Sequence, residues 1–121
     1  MWILKSYKKL KTFFFLNEVK HEKLPSYIHG FDLGIIPYKV NKFTNSVYSC
    51  KLNEYLSMGL PVVSTKIRES NIYNKNFNNI ISIGKTYEQF NIKIRENIKN
   101  NSKDKVNNRI NFIGTIDDFR L

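Results

Sequence analysis

Short apolar runs alternate along this chain with stretches of helical periodicity, and the alternation predicts an α/β domain built on a parallel sheet. Two observations carry that prediction. The runs at 33–36, 61–64 and 80–83 show little or no polar alternation, as in strands covered on both faces. Between the first two, Leu52, Tyr55, Leu56 and Gly59 fall at i, i+3, i+4 and i+7, one face of a helix. The 121 residues suffice for one small domain and no more.

Residues 2–11 read as the end of a basic amphipathic helix, with Leu4, Tyr7 and Leu10 at i, i+3 and i+6 and lysines in the gaps. A helix packed on a sheet and a helix lying on a membrane surface both fit that pattern. Residues 13–16 read as a buried strand and 17–23 as a polar turn. Pro25 suits the first turn of a brief helix that Gly30 stops. Residues 33–36 form the next strand, ended by Pro37. Residues 38–49, rich in Asn, Ser and Thr, read as a loop of a length that usually carries function, with Ser49 as N-cap of the helix after it.

That helix starts near Lys51, Gly59 suits the left-handed position after its end, and Pro61 can open a strand. Ile67, Ile72 and Tyr73 mark a short helix, and Ile80, Ile81 and Ile83 a fourth strand. Thr86-Tyr87-Glu88-Gln89 is a capping box, after which Tyr87, Phe90, Ile94 and Ile98 continue a helical stripe. Asn100-Asn101-Ser102 breaks it; a short basic helix comes next, then Gly114 and a final piece over 115–121.

The 20 Lys and Arg against 10 Asp and Glu give a net charge of +10. That balance points to a phosphate-rich partner: a nucleotide, nucleic acid or an anionic lipid. Lysine and asparagine are spread along the whole chain, however, a pattern that composition alone also produces. A nucleic-acid-binding module would need lysines clustered on one face with aromatic residues to stack bases. The dispersed lysines and lack of an RNA-binding motif argue against it. Cys50 is the single cysteine, so no intrachain disulfide can form, and with His21 and His29 it lacks metal-site spacing. No metal is expected. No apolar run reaches the ~20 residues of a membrane span, and the N-terminus lacks the order of a signal peptide. A cytoplasmic location is expected, peripheral at the inner membrane face if the N-terminal helix lies on lipid.

In a parallel sheet, ligands bind at the carboxyl ends of the strands, near helix N-termini. Residues 45–52 lie at such a place. The backbone N–H groups of Lys51, Leu52 and Asn53, with the helix dipole, favour a diphosphate. Lys51 adds a mobile positive charge, and Glu54 can accept hydrogen bonds from a ribose diol. Glu54 lies two residues past Leu52, about 200° around the helix, so it points away from the inward face. Tyr38 and Tyr48 could stack on a base. The plainer alternatives are a glutamate that complements the helix dipole, a solvated lysine and packed tyrosines. No residue stands out as a general base or nucleophile, and Asp117-Asp118 reads as first-turn acids after Thr115.

The segment K-L-N-E-Y-L-S-M-G-L-P-V-V-S-T over 51–65 resembles the signature of the C-terminal domain of GT-B glycosyltransferases of the GT4-like group. Leu24-Pro25-Ser26-Tyr27-Ile28 and Phe31-Asp32-Leu33-Gly34-Ile35-Ile36-Pro37-Tyr38 match the two preceding blocks of that family in kind and order. The resemblance covers about 13–121, weakly after Ser82. It implies a three-layer Rossmann-like parallel sheet, with residues 1–121 forming a single partial domain that lacks the first two strands. It also implies a donor-binding part of an enzyme that moves a sugar from a nucleotide-diphosphate donor to a glycan or lipid-linked acceptor in polysaccharide biosynthesis. The acceptor would be held by the N-terminal domain, and the 121-residue chain alone would not turn over. By the resemblance, Glu54 is the second glutamate of an E-x7-E motif and holds the donor ribose. The first glutamate falls on Ser46, so the motif is broken where the family approaches the sugar. The strand order the family implies would leave the 33–36 strand with an open edge in mid-sheet, a hazard for association. The expectation is a chain that is marginal alone, or one in which the 13–16 strand re-pairs with 33–36.

Overall fold

In the computed structural model the described residues are 2–7, 10–15, 32–46, 50–77 and 79–115, the first two segments and Cys50 by their backbone. The strands are β1 (Trp2–Tyr7), β2 (Leu10–Phe15), β3 (Leu33–Ile36), β4 (Val62–Ser64) and β5 (Ser82–Ile83). The helices are α1 (Lys42–Ser46), α2 (Cys50–Ser57), α3 (Arg68–Asn76), α4 (Tyr87–Asn100) and α5 (Lys103–Gly114). The expected helix near 25–30, the Ser49 cap, His21, His29 and the piece beyond Thr115 lie outside the described residues.

The sheet runs β2-β1-β3-β4-β5. Strands β3, β4 and β5 are parallel, with Ile35 opposite Val63 and Val63 opposite Ser82. Backbone bonds from Gly34 N to Pro61 O (3.0 Å), Thr65 N to Ile36 O (3.1 Å) and Gly84 N to Ser64 O (3.0 Å) carry these ladders past the strand ends.

The other half of the sheet corrects two expectations. Residues 2–7 are a strand and not a helix, and β1 pairs antiparallel with β3 (Trp2 with Ile35, Leu4 with Leu33). The 10–15 strand pairs with β1 and not with β3. The Leu4–Tyr7–Leu10 spacing is compatible with a helix, but an isolated helix of about ten residues gains little. The open N–H and C=O row of β3 offers partners to Trp2, Ile3 and Leu4, and the hairpin with β2 pairs the whole of β1. The sheet is therefore mixed, three parallel strands completed by an antiparallel hairpin.

Both faces of the parallel part are covered. Leu33, Ile35 and Val63 point to one side and pack with Ile94, Phe90 and Ile98 of α4. Ile36 and Val62 point to the other, where Leu52, Tyr55 and Leu56 of α2, Tyr73 of α3 and Phe112 of α5 close the larger core cluster. The Tyr73 and Phe112 rings meet edge-on at 5.3 Å, which docks α5 onto α3. The result is three layers, compatible with a Rossmann-like fold.

Local signals set the helix limits. Gly59 has φ of 77°, and Leu60 N to Tyr55 O (3.0 Å) with Gly59 N to Leu56 O (2.9 Å) completes a Schellman stop for α2. The guanidinium of the buried Arg109 donates to Gly59 O at 2.9 Å and Asn101 Oδ1 at 2.8 Å, a cation at the negative end of α2. Burial lowers the Arg109 pKa to about 10, which leaves it charged at neutral pH. Thr86 Oγ1 accepts from Gln89 N (3.1 Å), while Gln89 Oε1 accepts from Lys85 N (2.9 Å), one residue earlier than in the standard box. Tyr87, expected in the α4 stripe, is 83% exposed; only Phe90, Ile94 and Ile98 face the sheet.

Two further departures have side-chain causes. Within the expected 38–49 loop, Asn41 Oδ1 caps Thr44 N (2.9 Å) and Thr44 Oγ1 accepts from Asn41 N (3.0 Å), a reciprocal cap that starts α1. The 80–83 strand shortens to two residues because the Asn74 carboxamide takes both backbone groups of Ile81, at 2.9 and 2.8 Å.

A Cβ on Gly34 would sit 2.6 Å from the ring of the fully buried Tyr55. Gly34→Ala should therefore lower unfolding stability by about 1–3 kcal/mol, the range for overpacking. Urea denaturation of the variant and the parent chain measures the loss.

Candidate functional site

A parallel β3–α2–β4 crossover forces α2 to run against the strands, so its N-terminus lies at their carboxyl ends. Lys51, in the first turn, agrees with that placement: its Nζ lies 5.8 Å from the ring centroid of Tyr38, which comes just after the end of β3. The Thr65 hydroxyl donates to Tyr38 O and ties the loop after β3 to the end of β4.

The candidate residues separate by role. Leu52 is wholly buried, with its side chain in the core. Asn53 is half-buried and its Oδ1 accepts from the Tyr73 hydroxyl, which links α2 to α3. Glu54 is half-buried beside the apolar face formed by Leu52, Tyr55 and Leu56, and its backbone carbonyl accepts from Ser57 Oγ at 2.8 Å. Ser46 ends α1 in an exposed position, with its hydroxyl donated back to Phe43 O at 2.8 Å. Tyr48 lies outside the described residues. The fold thus brings Lys51 to Tyr38 and turns the Asn53 side chain toward a structural partner.

Sequence reasoning missed a crevice of about 570 Å³ on the α4 side of the same sheet end. Ile35 contributes from β3 and Pro37 from just after it, Thr65 from just after β4, and Gly84, Lys85 and Thr86 from the turn after β5. Phe90 and Ile94 make an apolar wall, with Asn91 and the exposed Tyr87 at its side. Its size suits a small molecule, for which about 300–1,000 Å³ is usual. The signal was present in Gly84 and the Thr86 cap after it: a strand end, then a helix start. A Cβ on Gly84 would lie 2.6 Å from the Phe90 backbone, so only glycine admits the approach of α4. Among the described residues no group of three or more His, Cys, Asp or Glu is placed to hold a metal, and no helix is long and apolar enough to cross a membrane.

A stretch of 46 residues is 39% identical to "Putative teichuronic acid biosynthesis glycosyltransferase TuaH" of Bacillus subtilis (strain 168). The match covers 38% of this chain and 12% of that protein, so the chain corresponds to a small part of the relative's length. No protein-family model and no solved structure matches the chain.

If Asn53 serves the α2–α3 contact, Asn53→Ala and Tyr73→Phe should each cost about 1 kcal/mol, the usual net worth of one hydrogen bond. Their double variant should cost clearly less than the sum, because the two changes remove the same bond. A double-mutant cycle by chemical denaturation reads this coupling.

Proposed function

We propose that this chain is the nucleotide-sugar-binding part of a glycosyltransferase, related to the C-terminal domain of GT-B, GT4-like enzymes. The observation that carries the reading is the α2 N-terminus at the carboxyl end of a parallel sheet, with Lys51 in its first turn and Glu54 one turn on. The similarity to a glycosyltransferase over 46 residues supports it independently.

In this reading the helix N-terminus and Lys51 hold the donor diphosphate, and Glu54 accepts from the ribose hydroxyls. Asn53 contributes a backbone N–H group, and Ser46 lies on the helix before the site. Donor chemistry breaks the bond between sugar C1 and the diphosphate oxygen, and negative charge grows on the leaving diphosphate. Stabilising that charge is the task of the cationic helix end. The acceptor, a glycan or lipid-linked hydroxyl, is held by another part of the complete enzyme. This chain by itself binds donor without turnover and needs no metal ion.

Calorimetry with UDP and with GDP tests the reading. Saturable binding of one of them is expected, with Glu54→Gln weakening it about tenfold, the worth of roughly 1.4 kcal/mol, from loss of a charge-assisted bond. Lys51→Ala should weaken it further at low salt than at high salt. Steeply salt-dependent oligonucleotide binding with no response to either nucleotide would sink the proposal in favour of a nucleic-acid module.

A further inference from the structure

A further concavity of about 460 Å³ is lined by Asn45 of α1, Lys66, and Arg68, Asn71, Ile72 and Lys75 of α3. Three of these six residues are cations and none is acidic. On α3, residues 68, 71, 72 and 75 fall at i, i+3, i+4 and i+7, one continuous helix face. Ile67 is buried and anchors the turn, while Lys66 and Arg68 on either side of it are exposed. Asn45 Oδ1 accepts from Arg68 N at 3.0 Å, which fixes α1 against the start of α3 as the opposite wall. Beneath the turn, the Ser64 and Ser70 hydroxyls are hydrogen-bonded at 2.8 Å and buried, tying β4 to α3. The cations therefore sit on a braced frame around a concave surface, where low-dielectric walls concentrate positive potential.

We propose that this cleft binds an anionic sugar, one carrying a phosphate or a carboxylate. Lys66, Arg68 and Lys75 take the anionic group, Arg68 with the planar fork that suits either oxyanion. The Asn71 carboxamide and the Asn45 Nδ2 donor address ring hydroxyls. Ile72, half-buried and packed on the core, offers an apolar floor for the face of a sugar ring. The volume is that of a small-molecule site. This binding does not depend on a nucleotide at α2.

Calorimetry on the full chain at fixed ionic strength, with glucose 1-phosphate, glucuronate and neutral glucose as probes, decides the matter. At least one anionic probe should bind saturably and at least about tenfold more tightly than glucose, the difference one charge-assisted contact supplies. Response to both anionic probes assigns the shared negative charge; response to one assigns phosphate or carboxylate. Lys66→Gln combined with Lys75→Gln should abolish that preference, whereas Lys103→Gln combined with Lys105→Gln should leave it intact. Thermal melts should stay unchanged, since these lysines are exposed. Equal binding of all three sugars, or equal loss in the two double-lysine variants, would overturn the proposal and leave only the pull of net positive charge.

Discussion

The close approach of Gly34 to the Tyr55 ring is the contact on which the rest of the structure depends. It lets a wholly buried aromatic side chain lie against β3, the middle strand of the five, where any larger residue would hold the helix off. Once α2 is seated there, Leu52 and Leu56 fall into the same core and the helix N-terminus is fixed at the carboxyl end of the sheet. The far end is fixed as well, by the Schellman turn at Gly59 and by the Arg109 guanidinium on its carbonyl. Packing in the middle of α2 thus positions Lys51 and Glu54, which themselves take no part in the core.

The sheet solves a second problem at its open side. Strand β3 is flanked by β4 on one edge only among the parallel strands, and an unpaired edge in mid-sheet would expose a row of backbone donors and acceptors. The N-terminal hairpin covers that row in antiparallel register. An antiparallel partner needs no crossover helix, so two short strands from one end of the chain suffice. Sheet edges are satisfied by whatever backbone is at hand, and side-chain periodicity is a weak guide to which segment does it.

The carboxyl end of the parallel strands gathers the polar and concave features of the molecule. The α2 N-terminus lies there, and the crevice against α4 opens there. The basic cleft under α1 starts from Lys66, two residues past the end of β4. Topology is the reason. Each parallel strand ends in a loop that must turn into a helix, and those loops carry the free N–H groups and the variable side chains.

The residues alone determined where the parallel strands fall, though not the length of the last, the α2 face and its glycine stop, the cap at Thr86 and the break within Asn100-Asn101-Ser102, because each rests on local chemistry: periodicity, a left-handed glycine, a hydroxyl over a helix end. They also pointed to Lys51 and Glu54, since a helix after a buried strand can be recognised without coordinates. Three things were decided only by tertiary structure. The 2–7 segment became a strand because β3 offered it an edge. Asn53 turned to Tyr73 because α3 folds back beside α2. The basic cleft arose because Asn45 docks a helix, unseen in the sequence, against Arg68 from 23 positions away. In each case the deciding partner is remote along the chain, and its nearness costs loop-closure entropy that only the assembled core can offset.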